Sequence, residues 1–280
     1  MGNLVSANNN QKLGGYRLHE RLNSGGMAEI WHATNSDGTP FALKKMHDQH
    51  RSSFIAKKRF FDGCKVLEAV HEHENIIGYV EHGKLEGVPY LLMEYVEANN
   101  LKELYTASDD TLADYVSEIL IETAQALEHV HDCGFMHLDF KPDNVLITRS
   151  NVAVKLVDFD LARPIPRKPK KIWKNPGTPL YMAPEQLQRQ GVDNRADIFA
   201  FGVTMYELLT FKKPFPGEKS AEVLAAQLNR SSGFITPRNV NEAIPAAAEK
   251  IILKCLENDP GQRYPNMSVV VGHLKSALYV

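Results

Sequence analysis

From Tyr16 to about Ile30, and again from Trp31 to Met46, apolar residues alternate with polar ones, broken by turn residues at Asn35 and Asp37-Gly38. Alternation with period two is the signature of half-buried strands, so a strand–turn–strand array is predicted here. Residues 53–72 place Phe54, Phe60, Phe61, Leu67 and Val70 at helical spacing. Two more strand-like runs follow, over 75–81 and 88–95. Beyond them the period changes. Val116, Ile119, Leu120, Ala124, Leu127 and Val130 mark an amphipathic helix over 111–133, with Gly134 suited to its C-cap. Short strands are expected over 144–147 and 152–156, and helices beyond Pro184. The run Ile198–Leu209, interrupted by Gly202 and Glu207, reads as a buried helix. Residues 1–15 are polar and Asn-rich and are expected to be a flexible leader. A strand-rich first third followed by a helix-rich remainder predicts an α+β chain of two lobes, split near residue 95.

Composition narrows this little. The 280 residues are 43% hydrophobic and 24% charged with net charge −2, which gives no global attraction to nucleic acid or an acidic membrane. No apolar run approaches the ~18 residues of a membrane span, and no secretory signal is expected at the start. Cys64, Cys133 and Cys255 are widely spaced, as in a reducing compartment such as the cytoplasm. His71 with His73, and His129 with His131, lack a third ligand at metal-binding spacing. Gly217-Glu-Lys-Ser220 lacks the order of a P-loop.

The chemistry concentrates in the middle of the chain. Met136-His-Leu-Asp-Phe-Lys-Pro-Asp-Asn-Val-Leu-Ile147 contains His137, Asp139, Lys141 and Asn144. Asp158-Phe-Asp160 follows, and then Gly177-Thr-Pro-Leu-Tyr-Met-Ala-Pro-Glu185. In order and spacing these resemble H-R-D-L-K-x-x-N, D-F-G and A-P-E of the protein kinases, and the resemblance runs from about Tyr16 to the C-terminus. It implies a two-lobed kinase fold, with a small β-rich first lobe (16–95) and a larger helical second lobe (96–280). It also implies ATP with Mg2+, or Mn2+, as cofactors.

By that resemblance Asp139 is the catalytic carboxylate beside the incoming hydroxyl, and Lys141 the cation steadying the moving phosphoryl group. Asn144 and Asp158 offer hard oxygens to the metal. Leu22, Asn23, Ser24, Gly25, Gly26, Met27 and Ala28 lie where the glycine-rich phosphate loop belongs, just upstream of Phe41-Ala-Leu-Lys44. Glycine lets backbone N–H groups approach phosphate closely. Lys44 matches the lysine that meets the α- and β-phosphates. Met93 falls at the gatekeeper position and backbone groups of Glu94 and Val96 at the adenine edge, with Ile30 and Ala42 above the base and Leu146 below. Lys141-Pro142 and Gly177-Thr-Pro-Leu-Tyr181 resemble serine/threonine rather than tyrosine kinases, with Thr178 facing Asp139. Asp197 and Gly202 resemble the D-x-x-x-x-G helix, and Arg263 the arginine that pairs with Glu185.

Four positions depart from the pattern. Leu138 stands where the family has an arginine that reads an activation-loop phosphate. Consistently, residues 159–177 hold no Ser, Thr or Tyr, but carry Arg163, Arg167, Lys168, Lys170, Lys171 and Lys174 among Pro164, Pro166 and Pro169. Control by activation-loop phosphorylation is therefore not expected. Gly63 occupies the helix position of the glutamate that orients the lysine, so either Asp62, rotated by roughly 100°, substitutes through a distorted helix or Lys44 lacks its usual partner. Asp160 replaces the glycine of D-F-G, and only Gly25 survives of three loop glycines. The reading is a serine/threonine protein kinase acting on protein hydroxyls, without nucleic-acid partners. A pseudokinase, binding nucleotide or acting as a scaffold, is the alternative. The start Met1-Gly-Asn-Leu-Val-Ser6 fits a myristoylation pattern at Gly2. That modification needs a eukaryotic transferase, whereas Gly-Gly-Met-x-Glu in the loop resembles bacterial kinases, so attachment through Gly2 is not expected.

Overall fold

A computed structural model describes residues 11–172 and 177–278, apart from the side chain of Ser232. Gly2 and Lys174 lie outside the described residues. The chain forms two compact units. The first runs to Glu72 and includes Ile77–Glu97. The second comprises His73–Ile76 and the chain from Ala98 onward. A sheet-rich unit followed by a helical one is the expected α+β protein-kinase-like architecture.

In the first unit β1 (Lys12–Leu13), β2 (Tyr16–Ser24), β3 (Ala28–Thr34), β4 (Pro40–Met46), β5 (Tyr79–Leu85) and β6 (Val88–Glu94) form one antiparallel sheet ordered β1-β2-β3-β4-β6-β5. Alternation decides its faces. Leu13, Leu18, Ala33, Leu43, Val88, Tyr90 and Leu92 close one core, while α1 (Phe54–Val70) packs on β5 and β6. Ser53 caps α1 by accepting from the Ala56 N–H at 3.2 Å. Two expectations are corrected here. The leader does not reach residue 15, because Leu13 is buried in a strand paired with β2. The strand expected over 75–81 begins at Tyr79, because Ile76 and Ile77 are buried outside the sheet and the Ile76 backbone bridges to Leu156 instead.

The second unit begins with β7 (Ala98–Asn100), α2 (Leu101–Ala107), α3 (Asp110–Asp132) and β8 (Phe135–Met136). Then come β9 (Val145–Thr148), β10 (Val154–Leu156), β11 (Arg163–Pro164), β12 (Lys170–Lys171), α4 (Pro184–Leu187) and β13 (Gly191–Val192). It ends with α5 (Arg195–Thr210), α6 (Ser220–Leu228), α7 (Pro237–Val240), α8 (Ala246–Cys255) and α9 (Met267–Leu278). As its apolar run foretells, α5 is buried along nearly its whole length, with α8 against it and α3 against α9. Gly202 permits the α5–α8 approach, since a Cβ there would lie 2.6 Å from Cys255 Cβ. Among the described residues no helix is long and apolar enough to cross a membrane.

Candidate active site

The sheet of the first unit carries the expected nucleotide-side residues. The β2–β3 turn is tight, with the Gly25 N–H donating to Ala28 O at 2.9 Å. Asn23 Oδ1 accepts from the Ser24 N–H at 2.7 Å. Two histidines absent from the sequence-based site fasten this loop. Nε2 of His47 lies 2.9 Å from Gly25 O, and Nε2 of His50 lies 2.9 Å from Gly26 O. A carbonyl only accepts, so each ring nitrogen is the donor. The His47 N–H also reaches Met27 O at 3.1 Å. Nothing in the sequence flags these histidines, because they meet the loop only once β3 and β4 are folded together. Each such bond contributes about 1 kcal/mol. The His47→Ala, His50→Ala double variant is therefore expected to raise the KM for ATP about ten-fold with a smaller change in kcat, read from steady-state kinetics.

Lys44 is buried at 7% exposure on β4. Its neighbour Lys45 projects to the other face, as strand alternation requires, and pairs with Glu29 at 3.0 Å. Ala42 lies opposite Met93, and Ile30 opposite Lys44. The Glu94 N–H is committed to Gly78 O at 2.9 Å, and Leu22 is exposed. On α1 Gly63 and Leu67 face inward, whereas Asp62 binds Lys58 one turn earlier at 2.5 Å on the exposed side. The helix is unbroken at Gly63, and Asp62 is engaged away from its core face. Asp62 as a substitute for the missing glutamate is thus not what this helix presents.

In the second unit a single buried carboxylate organises the catalytic loop. Asp197, at the start of α5, accepts from the His137 N–H (2.8 Å), the Leu138 N–H (2.8 Å) and His131 Nε2 (2.9 Å). Burial alone would raise its pKa. The His131 bond, the nearby imidazoles and the Leu138 N–H outweigh this and hold the carboxyl below the usual range. These bonds secure Leu138 at φ 64, a left-handed conformation costly for a branched side chain. His137 is wholly buried and its Nε2 lies 3.1 Å from Val157 O, tying this loop to the residue before Asp158. Asp158 itself sits at φ 64.

The loop so held brings the sequence-predicted residues together. Lys141 Nζ donates to Asp139 Oδ2 at 3.0 Å and to Thr178 Oγ1 at 3.1 Å. The Thr178 N–H reaches Asp139 Oδ1 at 3.3 Å. Asn144 is buried, and its Nδ2 donates to Asp139 O at 2.8 Å. That donation fixes the amide so that its oxygen is turned away from Asp139 O. Gly177 crowds the carboxylate, since a Cβ there would lie 3.0 Å from Asp139 Oδ1. Leu146 lies on β9 opposite Lys155. Arg263 grips Glu185 through two bonds of 2.7 Å, as expected of that pair. A cluster not foreseen from the sequence holds Tyr181. Its hydroxyl donates to Glu207 at 2.7 Å, Tyr105 donates to the other Glu207 oxygen at 2.6 Å, and Lys213 pairs with the same carboxylate at 2.5 Å. Burial and the Glu207 charge push the Tyr181 hydroxyl pKa up.

A family model described as "Protein kinase domain" matches residues 16–273. The chain belongs to the protein kinase family. This kinase domain is 33% identical over 275 residues to the serine/threonine-protein kinase Pkn1 of Myxococcus xanthus, covering 95% of the chain and 39% of the relative. It is 28% identical over 262 residues to a probable serine/threonine-protein kinase of Clostridium perfringens, covering 93% of the chain and 38% of the relative. With PknB of Mycobacterium tuberculosis the identity is 29% over 260 residues, covering 89% and 40%. The chain thus spans about two fifths of the length of these curated relatives. Membership implies use of ATP and a divalent metal. The donors fit a hard cation, namely a buried, oriented amide oxygen on Asn144 and a carboxylate on Asp158. Among the described residues no cluster of three or more His, Cys, Asp or Glu side chains offers a competing metal site.

Proposed function

We propose that the kinase domain transfers the γ-phosphoryl group of ATP to serine or threonine hydroxyls of proteins. The observation that carries this reading is the Asp139 carboxylate, held by Lys141 and the Thr178 N–H on a backbone fixed by Asn144. Asp139 accepts the proton of the substrate hydroxyl as its oxygen bonds to the γ-phosphorus. The bond from that phosphorus to the β–γ bridging oxygen breaks, and ADP leaves. Lys141, bonded to both Asp139 and Thr178, places a cation where charge spreads over the phosphoryl oxygens. The end of β2 from Leu22, the turn through Gly25, Gly26 and Met27, Ala28 and Lys44 hold the phosphates. The residues assigned to the base are Ile30, Ala42 and Met93 on the first unit and Leu146 on the second, with the backbone of Glu94 and Val96 assigned to its edge. Asn144 and Asp158 would hold the metal, Mg2+ with Mn2+ able to substitute, and it would neutralise phosphate charge when bound. Three unlinked thiols suit a cytoplasmic setting.

Radiolabelled ATP with casein and a basic protein tests the reading. Incorporation should require divalent metal and vanish with EDTA. If no protein is labelled, the reading fails. Gly63 favours a second reading, a pseudokinase that binds nucleotide. ATP with metal would then raise the melting temperature without any transfer.

Activation-loop phosphorylation is not the switch in this reading. Leu138 is buried and carries no charge, and Tyr181 is buried against Glu207. Phosphatase treatment is expected to leave the rate within about two-fold. An activating phosphate mapped to Thr178 or Tyr181 would refute this.

A further inference from the structure

The segment from Arg163 to Lys171 presents Arg163, Arg167, Lys168, Lys170 and Lys171, all exposed. No Asp or Glu occurs from Leu161 to Pro184, in a chain whose net charge is −2 with this segment included. This is not a free solvated run. Its first end is β11, where Arg163 lies opposite Met136 and Pro164 opposite Phe135, and the Ile165 N–H donates to Gly134 O at 2.8 Å. Its far end is β12, where Lys170 lies opposite Val192 and Lys171 opposite Gly191. Pro169 packs so closely on Gly191 that a Cβ there would come within 2.9 Å of the proline Cβ. Pro164 and Pro166 further restrict the backbone between.

Several carboxylates of the second unit are already committed. Asp193, just after β13, is bound by Arg195 through contacts of 2.6–3.2 Å. Glu185 is taken by Arg263, Glu207 by Lys213 and two tyrosines, and Asp197 by the catalytic loop. Among the described residues none of the five cations makes an ion pair with a carboxylate. The fold therefore holds a row of positive charge in place at both ends with no carboxylate partner among the described residues, which suits an anion from outside.

Where that anion must sit follows from the pairing. Met136 precedes Asp139 by three residues, at most about 11 Å of chain. A cross-strand partner lies about 5 Å away, so the Arg163 Cα is within about 16 Å of the Asp139 Cα. An extended peptide advances about 3.3 Å per residue. A residue about five positions from a hydroxyl seated at Asp139 can therefore reach the start of the row. Resting on the phosphotransfer reading above, we propose that the segment 163–171 is a docking surface for acidic residues flanking the acceptor serine or threonine of the substrate protein. Its tether to the loop that bears Asp139 favours a substrate over a lipid surface, which would need no such registration.

The full chain is assayed on three peptides identical except for glutamate, glutamine or lysine flanks around one serine. The glutamate peptide is expected to exceed the glutamine peptide about ten-fold in kcat/KM at low salt. The advantage should shrink in about 0.5 M salt. Charge reversal by Arg167→Glu, Lys168→Glu, Lys170→Glu and Lys171→Glu should invert the order, with the glutamine peptide changed less than about two-fold. The milder Lys170→Gln, Lys171→Gln variant, checked by thermal melting, should reduce the preference and guards against misfolding. Equal rates on the glutamate and glutamine peptides, or an acidic preference that survives reversal, would overturn the inference while leaving the kinase reading intact. Phosphatidylserine vesicles bound through this row without any peptide preference would overturn it in favour of a membrane. No transfer to any of the three peptides would instead sink the kinase reading, and the inference with it.

Discussion

Replacing Asp139 with asparagine is expected to cut phosphoryl transfer by about 10²- to 10⁴-fold, the usual contribution of a positioned proton acceptor. The change is isosteric but turns one carboxylate oxygen into a donor, so only one of the acceptors for Lys141 Nζ and the Thr178 N–H is kept, while Asn144 still donates to the backbone carbonyl of residue 139. What is lost is the negative charge that accepts the hydroxyl proton. Nucleotide should still bind, because the phosphate-gripping residues lie on a different part of the chain. The decisive comparison is radiolabelled transfer beside a thermal shift with ATP and metal. A variant with full transfer would remove Asp139 from the chemistry. A variant that no longer melts cooperatively would point to a structural role instead.

Asp197→Ala should be the most destabilising of the single changes considered. It strips a partner from His131 and leaves the His137 and Leu138 N–H groups buried without acceptors. Breaking a buried network of this kind costs about 3–5 kcal/mol, which for a domain of this size lowers the melting temperature by about 10 °C. Leu138 would also lose the bond that secures its left-handed backbone, so activity should fall with stability. Asp197→Asn keeps an acceptor and should be milder. The same carboxylate sets an acid limit. Its folded pKa is depressed, so its contribution is fully present above the ordinary carboxylate range near pH 4 and is lost as pH falls through the lower folded value. Asp193, held down by Arg195 against its burial, acts in the same direction. In Asp197→Ala the acid transition should be shallower. A melting temperature within about 2 °C of the parent would refute the organising role of this residue.

Much of this was legible in the chain because it rests on local periodicity. The amphipathic pattern over 111–133 became α3 (Asp110–Asp132), and the alternation over 31–46 became β3 and β4 with their turn at Asn35–Gly38. The family resemblance likewise anticipated the meeting of Asp139 and Lys141, two residues apart, with Thr178, 37 residues beyond Lys141. Failures came where a residue's burial was decided by distant partners. Ile76 looks like the start of a strand, but its apolar side chain is buried outside the sheet and its backbone bridges to Leu156. Leu13 looks like part of a polar leader until β2 covers it.

By itself the sequence determined the order of elements, the membership of the catalytic loop and the absence of acids beside the basic row, because each is a property of neighbours along the chain. Tertiary structure alone decided that Asp197 holds the backbone of His137 and Leu138, and that Glu207 gathers Tyr105, Tyr181 and Lys213. It alone brought His47 and His50 to the glycine carbonyls and tethered the row 163–171 at both ends. Those contacts join groups as many as 102 residues apart. Polar groups removed from water must find partners wherever packing brings them together, and no local pattern encodes which partner that will be.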